Sequence, residues 1–252
     1  MPLELTLSQT NTTKGVAILM MLCLHLFNQP YQGLFEPLIF VGSKPLSYYI
    51  SLFCDCCVAI YCFCSGYGLY AGYIKSTTNY NRKNYIRLLK LYINYWIVLL
   101  IFAVVLGLVM GQGDRYPGNF TKFILNFTAL DNSYNGAWWF VTTYILLVLM
   151  SPIIFKFVLK FDYRLVLLFS FCLYGVAYIQ RIKVPLQFNQ IFLDAILEQL
   201  ALFGSSLFPF IIGAIAYQQK WYSAFSAFSN KLKKKNFILI LIHCCPIKKK
   251  PN

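Results

Sequence analysis

Long apolar runs without a polar face constrain the fold of this chain more than any other feature. Three of them are Leu91–Met110, Trp138–Ile154 and Ala195–Tyr217. A helix needs about 20 mostly apolar residues to cross a bilayer, and several runs reach that length. Charged residues make up only 12% of the chain, about half the share of a typical soluble domain. The sequence therefore predicts membrane-spanning helices rather than the buried core of a soluble helical protein.

We predict an all-α fold, a polytopic bundle of transmembrane helices that forms a single membrane-embedded domain over residues 1–252. Six spans are predicted from the apolar runs, at Lys14–Gln32, Leu46–Tyr70, Leu91–Gly111, Ala137–Val158, Arg164–Gln180 and Ala195–Tyr217. The first span is expected to stay in the protein, because its flanks lack the pattern of a cleavable signal peptide. Phe237–Ile242 begins like a seventh span but is far too short to cross a bilayer, which favours a C-terminally truncated chain over an interfacial tail.

Basic residues cluster at the ends of the apolar runs, and they set the expected orientation. The formal net charge is +14, and residues 72–90 and 218–236 contain basic side chains but no acidic ones. The positive-inside rule places such connections in the cytoplasm, so we expect a multi-pass protein of the cell membrane with a cytoplasmic N-terminus. Basic flanks also contact anionic lipid headgroups. The charge therefore indicates membrane lipids as partners and not nucleic acid.

Nine cysteines raise the question of a metal site. The densest group follows the patterns C-x-C-C and C-x-C within an apolar run. Zinc sites present paired ligands from turns, and cysteines spaced in this way along a helix cannot converge on one ion. Since cysteine also behaves as a small apolar residue, we expect no metal site and no permanently bound cofactor.

His25 and Asp55 are the candidate catalytic residues, because ionisable side chains at membrane depth are costly and often functional. His25 lies eleven residues after Lys14, about 16 Å along a helix and hence near mid-bilayer. An imidazole changes protonation near neutral pH, which suits general-base chemistry on a hydroxyl group; a packing role beside a neighbouring helix is an equal alternative. Asp55 is expected at a similar depth, where it would orient His25 or share its proton. If the second span starts later, Asp55 lies in the outer headgroup zone instead.

Two further groups are candidates for ligand binding. A basic stretch at the entry to the third span suits phosphate groups, which Arg and Lys bind by charge and hydrogen bonding, but the positive-inside rule also explains it. This stretch comprises Arg82, Lys83, Arg87 and Lys90. Aromatic residues open the fourth span, where they anchor a helix at the interface or stack on sugar rings. These aromatic residues are Trp138, Trp139 and Tyr144.

Four blocks in order across residues 14–152 resemble the acyltransferase-3 family of polytopic membrane O-acyltransferases. The run Thr13–Phe27 is similar to the family's first helix, in which a basic residue precedes GIAILL and one or two histidines, and His25 falls on the second histidine. Cys57–Tyr70 resembles the block F-x-F-L-S-G-Y-G-L, and Arg82–Trp96 resembles R-x₄-R-L…Y-W. Gly136–Pro152 resembles W-F…Y…P.

The resemblance implies transfer of an acyl group, often acetyl from cytoplasmic acetyl-CoA, to a hydroxyl of a cell-envelope saccharide or lipid-linked glycan. It thus implies acyl-CoA as a co-substrate and O-acetylation of a polysaccharide as the outcome. In that reaction His25 would act in catalysis, and close helix packing around the site would involve Ser65 and Gly66. The groups that hold the CoA phosphates would be Arg82 and Arg87, with Lys14 nearby. For substrate binding we predict Trp139 and Tyr144.

Two alternatives remain open at the sequence level. One is an exporter or transporter of an envelope lipid or polymer; that class typically shows related halves with interrupted helices, and the chain has no evident internal repeat. The other is an inactive, truncated member of the family, because its relatives usually have more spans.

Overall fold

Six helical segments long and apolar enough to cross a membrane make up most of the chain. The computed structural model describes residues 4–28, 36–75, 78–183, 185, 186, 188 and 190–229. The six segments are Leu7–Phe27, Leu46–Lys75, Tyr80–Val109, Gly136–Lys160, Tyr163–Lys183 and Leu193–Gln218. The predicted all-α bundle of six spans is confirmed, while the predicted start of a seventh span lies outside the described residues.

Several of the spans are interrupted by short 3₁₀ or π-helical segments. The first span is α1 (Leu7–Phe27), and the second combines α2 (Leu46–Phe53), a 3₁₀ turn (Cys54–Cys56) and α3 (Cys57–Lys75). The third combines α4 (Tyr80–Leu99), a π-helical segment (Leu100–Val105) and α5 (Leu106–Val109), and α6 (Phe120–Phe127) follows it. The fourth comprises a 3₁₀ turn (Gly136–Trp138) and α7 (Trp139–Lys160). The fifth is α8 (Tyr163–Tyr178) with a π-helical end (Ile179–Lys183). The sixth lies in α9 (Ile191–Gln218). A two-stranded antiparallel hairpin of β1 (Phe40–Val41) and β2 (Lys44–Pro45) precedes α2.

Helix α1 begins and ends earlier than the apolar pattern predicts. A reciprocal cap fixes its start: the Gln9 backbone N–H donates to Thr6 Oγ1 at 3.2 Å, and the Thr6 N–H donates to Gln9 Oε1 at 2.9 Å. This capping box satisfies two backbone donors at the helix start and extends the helix through a polar stretch. Because α1 ends at Phe27, the predicted span Lys14–Gln32 is shifted, and His25 lies in the last helical turn rather than near the middle.

The third span also begins earlier than predicted, because the basic stretch before it is helical. No glycine or proline interrupts residues 80–90, so nothing there breaks a helix. Tyr80, Asn84 and Leu88 are buried at a spacing of four residues, which places them on one face of α4. The predicted connection over residues 72–90 is therefore wrong for most of its length.

The closest helix contact joins α3 to α9. A Cβ on Gly66 would overlap the carbonyl oxygen of Phe210, and a Cβ on Gly213 would overlap the carbonyl oxygen of Phe63. Only glycine allows two backbones to approach in this way, as small residues do between membrane helices. The packing role expected of Gly66 is thus observed. Helix α9 also packs on α7 and α8, and α1 packs on α3.

Pro152 lies inside α7, where it removes one backbone hydrogen bond. The carbonyl that loses its donor is that of Val148, four residues earlier. The Ser151 hydroxyl donates to this carbonyl at 2.7 Å, which restores the bond in a setting without water. The same hydroxyl lies 2.7 Å from that of Tyr80 on α4, so the proline position also becomes a contact between two spans.

The segment between the third and fourth spans folds back onto α4 and forms a cap. The carbonyls at the end of α6, which have no partner within that helix, accept hydrogen bonds from three α4 side chains. The donor–acceptor pairs are Tyr95 to Asn126 (2.5 Å), Trp96 to Phe127 (2.9 Å) and Tyr92 to Thr128 (3.1 Å). The predicted spans leave this segment as a connection, and in the structure it is docked against the third span.

Candidate active site

A central cavity of about 820 Å³ lies between the first four spans and reaches the end of the fifth. It brings together most of the predicted site residues, although they come from distant parts of the chain. Those residues are Lys14, His25, Asp55, Arg87, Trp139 and Tyr144. Apolar side chains of α1, including Ile18 and Met21, line the stretch between them.

The central cavity has two distinct ends, because α1 runs antiparallel to the second span. The Leu5 N–H, just before α1, donates to the Tyr67 hydroxyl at 3.1 Å, whereas Cys23 near the end of α1 contacts Cys54. Lys14 is eleven residues from His25, and Ser65 is ten residues from Asp55; these separations are about 16 Å and 15 Å along a helix. One end therefore carries Lys14 and Ser65, and the other carries His25 and Asp55.

His25 and Asp55 both line the central cavity at the end opposite Lys14, and both residues are exposed. His25 projects from the last turn of α1, and Asp55 from the 3₁₀ turn that interrupts the second span. Within the described part of the chain no hydrogen bond or ion pair joins their side chains. An imidazole open to a cavity can take a proton from a hydroxyl group bound there. The pairing of Asp55 with His25 stays a prediction.

Arg87 is held at the opposite end by buried polar side chains. Its Nη1 donates to Asn84 Oδ1 at 2.8 Å, and Asn84 Nδ2 donates to the Ser151 hydroxyl at 3.4 Å. Asn84 and Ser151 are almost fully buried, with 5% and 0% of their surfaces exposed. A guanidinium group fixed in this way presents its remaining donors in a planar fork, which suits phosphate oxygens.

Arg82 lies elsewhere, although the sequence groups it with Arg87. The two residues are both in α4 and five positions apart, which separates them by about 140° around a helix. Both residues are exposed, but Arg87 lines the central cavity and Arg82 does not. The structure therefore does not bring Arg82 and Arg87 together.

The aromatic residues at the start of the fourth span divide between two environments. Trp138 packs edge-to-face on Tyr95 of α4, with the ring centroids 5.1 Å apart. Trp139 lines the central cavity, and the Arg181 guanidinium carbon lies 4.8 Å from its ring centroid, a cation–π distance. Tyr144 lies further along α7 in the same cavity. Of these aromatic residues, only Trp139 and Tyr144 are placed to contact a ligand in the cavity.

Two smaller cavities adjoin the central one at its opposite ends. An inner cavity of about 370 Å³, at the end where α1 begins, shares Lys14, Ser65, Arg87 and Tyr144 with it and is also lined by Lys75. An outer cavity of about 590 Å³ shares Trp139 and Arg181 with it. Besides Arg181, the polar side chains of the outer cavity are Asn132, Gln180, Asp194 and Glu198. The three cavities thus follow one another along the bundle.

Arg181 and Asn84 are candidate functional residues that sequence reasoning missed. Arg181 falls just outside the predicted fifth span, which ends at Gln180, but the π-helical end of that span brings it over Trp139. Such π-helical segments are often found at functional sites, yet they leave little trace in a sequence. Asn84 could have been found, since it is a polar residue on the buried face of α4, three positions before Arg87.

Comparison with known proteins gives one match. The model of the acyltransferase-3 family, described as an acyltransferase domain, matches residues 9–244, which is nearly the whole chain. No match was found among curated proteins or among solved structures. With six apolar helices of membrane-spanning length around one cavity, the chain belongs to the acyltransferase-3 family and is a multi-pass membrane protein.

Proposed function

We propose that the protein is a membrane O-acyltransferase that moves an acyl group, in the first instance acetyl, from cytoplasmic acyl-CoA to a hydroxyl of a cell-envelope saccharide or lipid-linked glycan. The observation that carries this proposal is the series of three adjoining cavities, with His25 and Asp55 in the central one and basic residues toward one end. A donor from one face of the membrane and an acceptor from the other would meet at His25.

The charge distribution supports an anionic donor on the side where α1 begins. The described lining of the inner cavity includes Lys14, Lys75 and Arg87 against one carboxylate, Glu4. Arg and Lys in a partly dehydrated cavity attract phosphate groups strongly. With the phosphates of CoA at Lys14 and Arg87, an extended pantetheine arm along α1 would bring the thioester toward His25.

The reaction follows from general-base chemistry at His25. Its imidazole takes the proton of the acceptor hydroxyl, and the hydroxyl oxygen attacks the carbonyl carbon of the thioester. The carbon–sulfur bond then breaks, and the proton on the imidazole passes to the departing CoA sulfur, which leaves as a thiol. In this proposal Asp55 stabilises the transient imidazolium, since both groups line the same end of the cavity.

The outer cavity suits a saccharide acceptor. Sugars are bound by side chains that accept and donate hydrogen bonds together with an aromatic ring, and this cavity offers Asn132, Asp194, Glu198 and Trp139. Because Trp139 also lines the central cavity, a sugar stacked on its ring would have a hydroxyl on the side of His25. Trp139 is thus proposed to bind the acceptor.

The proposal is tested by His25→Ala in membranes supplied with labelled acetyl-CoA. We expect transfer of label to envelope glycan to fall at least 100-fold, about the contribution of a general base, while the amount of inserted protein is unchanged. Leu26→Ala is the matched control, because Leu26 is the next residue, is 67% exposed and does not line the central cavity. Retained transfer in His25→Ala would refute the proposal. Export of a glycan by the unaltered protein without any need for acetyl-CoA would favour a transporter instead.

A further inference from the structure

Four residues form a neck between the inner and central cavities. They are the residues that line both: Lys14 on α1, Ser65 on α3, Arg87 on α4 and Tyr144 on α7. Each comes from a different span, so the neck is a ring of side chains across the first four spans. A molecule that extends from the inner cavity into the central one therefore contacts this ring.

Ser65 stands out in the neck because its hydroxyl is buried without a hydrogen-bond partner. The residue is 5% exposed, and its Oγ is among the buried side-chain oxygens that have no partner. Four other helical serines in the described part of the chain donate to a carbonyl of their own span. Those donations run from Ser51 to Tyr48, from Ser151 to Val148, from Ser170 to Leu167 and from Ser205 to Leu202.

A buried hydroxyl without a hydrogen-bond partner costs stability, and at Ser65 the backbone is held in place and cannot move to relieve that cost. The next residue, Gly66, lies against the carbonyl of Phe210 so closely that a Cβ would not fit. This contact fixes the stretch of α3 that carries Ser65. This hydroxyl lies between two cavities whose shared lining includes Lys14 and Arg87. It is therefore suited to form a hydrogen bond with a bound ligand.

We propose that the Ser65 hydroxyl binds the donor's pantetheine arm, through an amide or hydroxyl group close to the phosphates, as the arm passes the neck. This inference rests on the proposed function. Ser65 lies at the level of Lys14, about 15 Å along the helix from the level of Asp55 and His25, so it contacts the phosphate end of the arm and not the thioester. Ser65 is therefore a binding residue for the donor and takes no part in the chemical step.

The first test compares stability with donor binding in Ser65→Ala. Removing a buried hydroxyl that has no partner removes a destabilising group. Without a donor bound, the variant should therefore unfold at a higher temperature than the unaltered protein. The rise in unfolding temperature on adding CoA should at the same time be smaller in the variant. A side chain with a merely structural role would lower the unfolding temperature and leave the response to CoA unchanged, and that result would overturn the inference.

The second test uses three acetyl donors of decreasing length: acetyl-CoA, acetyl-phosphopantetheine and acetyl-N-acetylcysteamine. Loss of one hydrogen bond should raise KM for the first two by about fivefold in Ser65→Ala, with kcat and the KM of the acceptor within about twofold. The shortest donor lacks the phosphate end of the arm, so its KM should not change. Equal effects on all three donors, or no effect on any, would contradict the inference.

Ser170→Ala is the matched control. Ser170 is 1% exposed and donates to Leu167 O at 3.1 Å, and it lies on α8 away from the neck. We expect it to lower the unfolding temperature without changing the KM of any donor. If the unaltered protein transfers acetyl from acetyl-CoA and Ser65→Ala keeps its KM, only the inference fails. If the unaltered protein neither binds nor uses acetyl-CoA, both the inference and the proposed function fail.

Discussion

Arg87 owes its position to side chains that have no contact with the cavity themselves. Asn84 accepts from Arg87 through its Oδ1 and donates to Ser151 through its Nδ2, so the amide orientation is fixed from both sides. Ser151 is in turn 2.7 Å from the Tyr80 hydroxyl. A buried network in which each member has a partner is rigid, because breaking any link leaves a polar group unsatisfied. The guanidinium is thus held in place before a ligand arrives.

Arg87 and Arg82 should differ sharply when each is replaced by alanine. Because Arg87 lines the inner and central cavities, we expect Arg87→Ala to raise KM for acetyl-CoA at least tenfold, the effect of losing a charge-assisted hydrogen bond of about 1.5–3 kcal/mol. Arg82 is exposed on another face of α4, so Arg82→Ala should change that KM less than twofold. Steady-state kinetics with varied acetyl-CoA measures both values. Similar increases in KM in the two variants would show that donor binding does not depend on which face of α4 carries the arginine.

Most of the residues predicted for the site line the central cavity, but the sequence does not show at which end of the cavity each one lies. Lys14, His25, Asp55 and Arg87 were all predicted as site residues and all line the central cavity. The sequence groups Arg82 with Arg87 because the two are close along the chain, and a stretch predicted as a connection gives no helical phase that would separate them. Arg181 was missed because its position depends on a π-helical segment, which changes the phase of the helix without a clear sequence signal.

Helix α3 contributes both to the packing of the bundle and to the lining of the central cavity. One face packs on α9 through Gly66, and Cys57, Tyr61 and Ser65 line the central cavity. Close backbone contact at Gly66 therefore fixes the depth and rotation of the residues that line the cavity. Since helix association in a membrane depends on such packing, the contact between α3 and α9 supports both the bundle and the site.

Alanine at Gly66 should separate α3 from α9. We expect Gly66→Ala to lower the free energy of unfolding by about 1–3 kcal/mol, the usual cost of overpacking, and to reduce transfer because the cavity lining shifts. Gly68→Ala is the control, since a Cβ there meets nothing within 4 Å; it should be neutral or stabilising, because alanine favours a helix by about 1 kcal/mol over glycine. Thermal unfolding in detergent measures both, and equal stability of the two variants would contradict the packing argument.

The spans were predictable as elements, but their ends were not. Apolar runs locate the six spans because the bilayer demands that length and composition. The ends depend on local hydrogen bonds and packing that the runs do not record, such as the Thr6–Gln9 capping box at the start of α1. At α4, the burial of Tyr80 and Asn84 keeps a basic, polar stretch helical. The shift of α1 matters most for function, since it moves His25 to the end of its helix.

Along the bundle, the described cavity linings differ in charge from one end to the other. The inner cavity contains three basic side chains and one carboxylate, whereas the outer cavity contains Arg181 together with Asp194 and Glu198. A polyanion is attracted to the first and repelled by the carboxylates of the second. We therefore propose that the donor enters only from the end where α1 begins, and that this end faces the cytoplasm.

Membrane vesicles of opposite orientation test this sidedness. Inverted vesicles expose the cytoplasmic face, so labelled acetyl-CoA added outside should label their glycan, while right-side-out vesicles should incorporate none. Lysis of the right-side-out vesicles should restore labelling, because it admits the donor to the other face. Vesicles with His25→Ala correct for any other acetylation.

An antibody tag at the N-terminus should react only after the membrane is opened, and a tag after Gly113, in the segment between the third and fourth spans, should react on intact cells. Labelling of sealed right-side-out vesicles would show that the donor enters from the outer face, and would reverse the assignment of the two ends of the cavity.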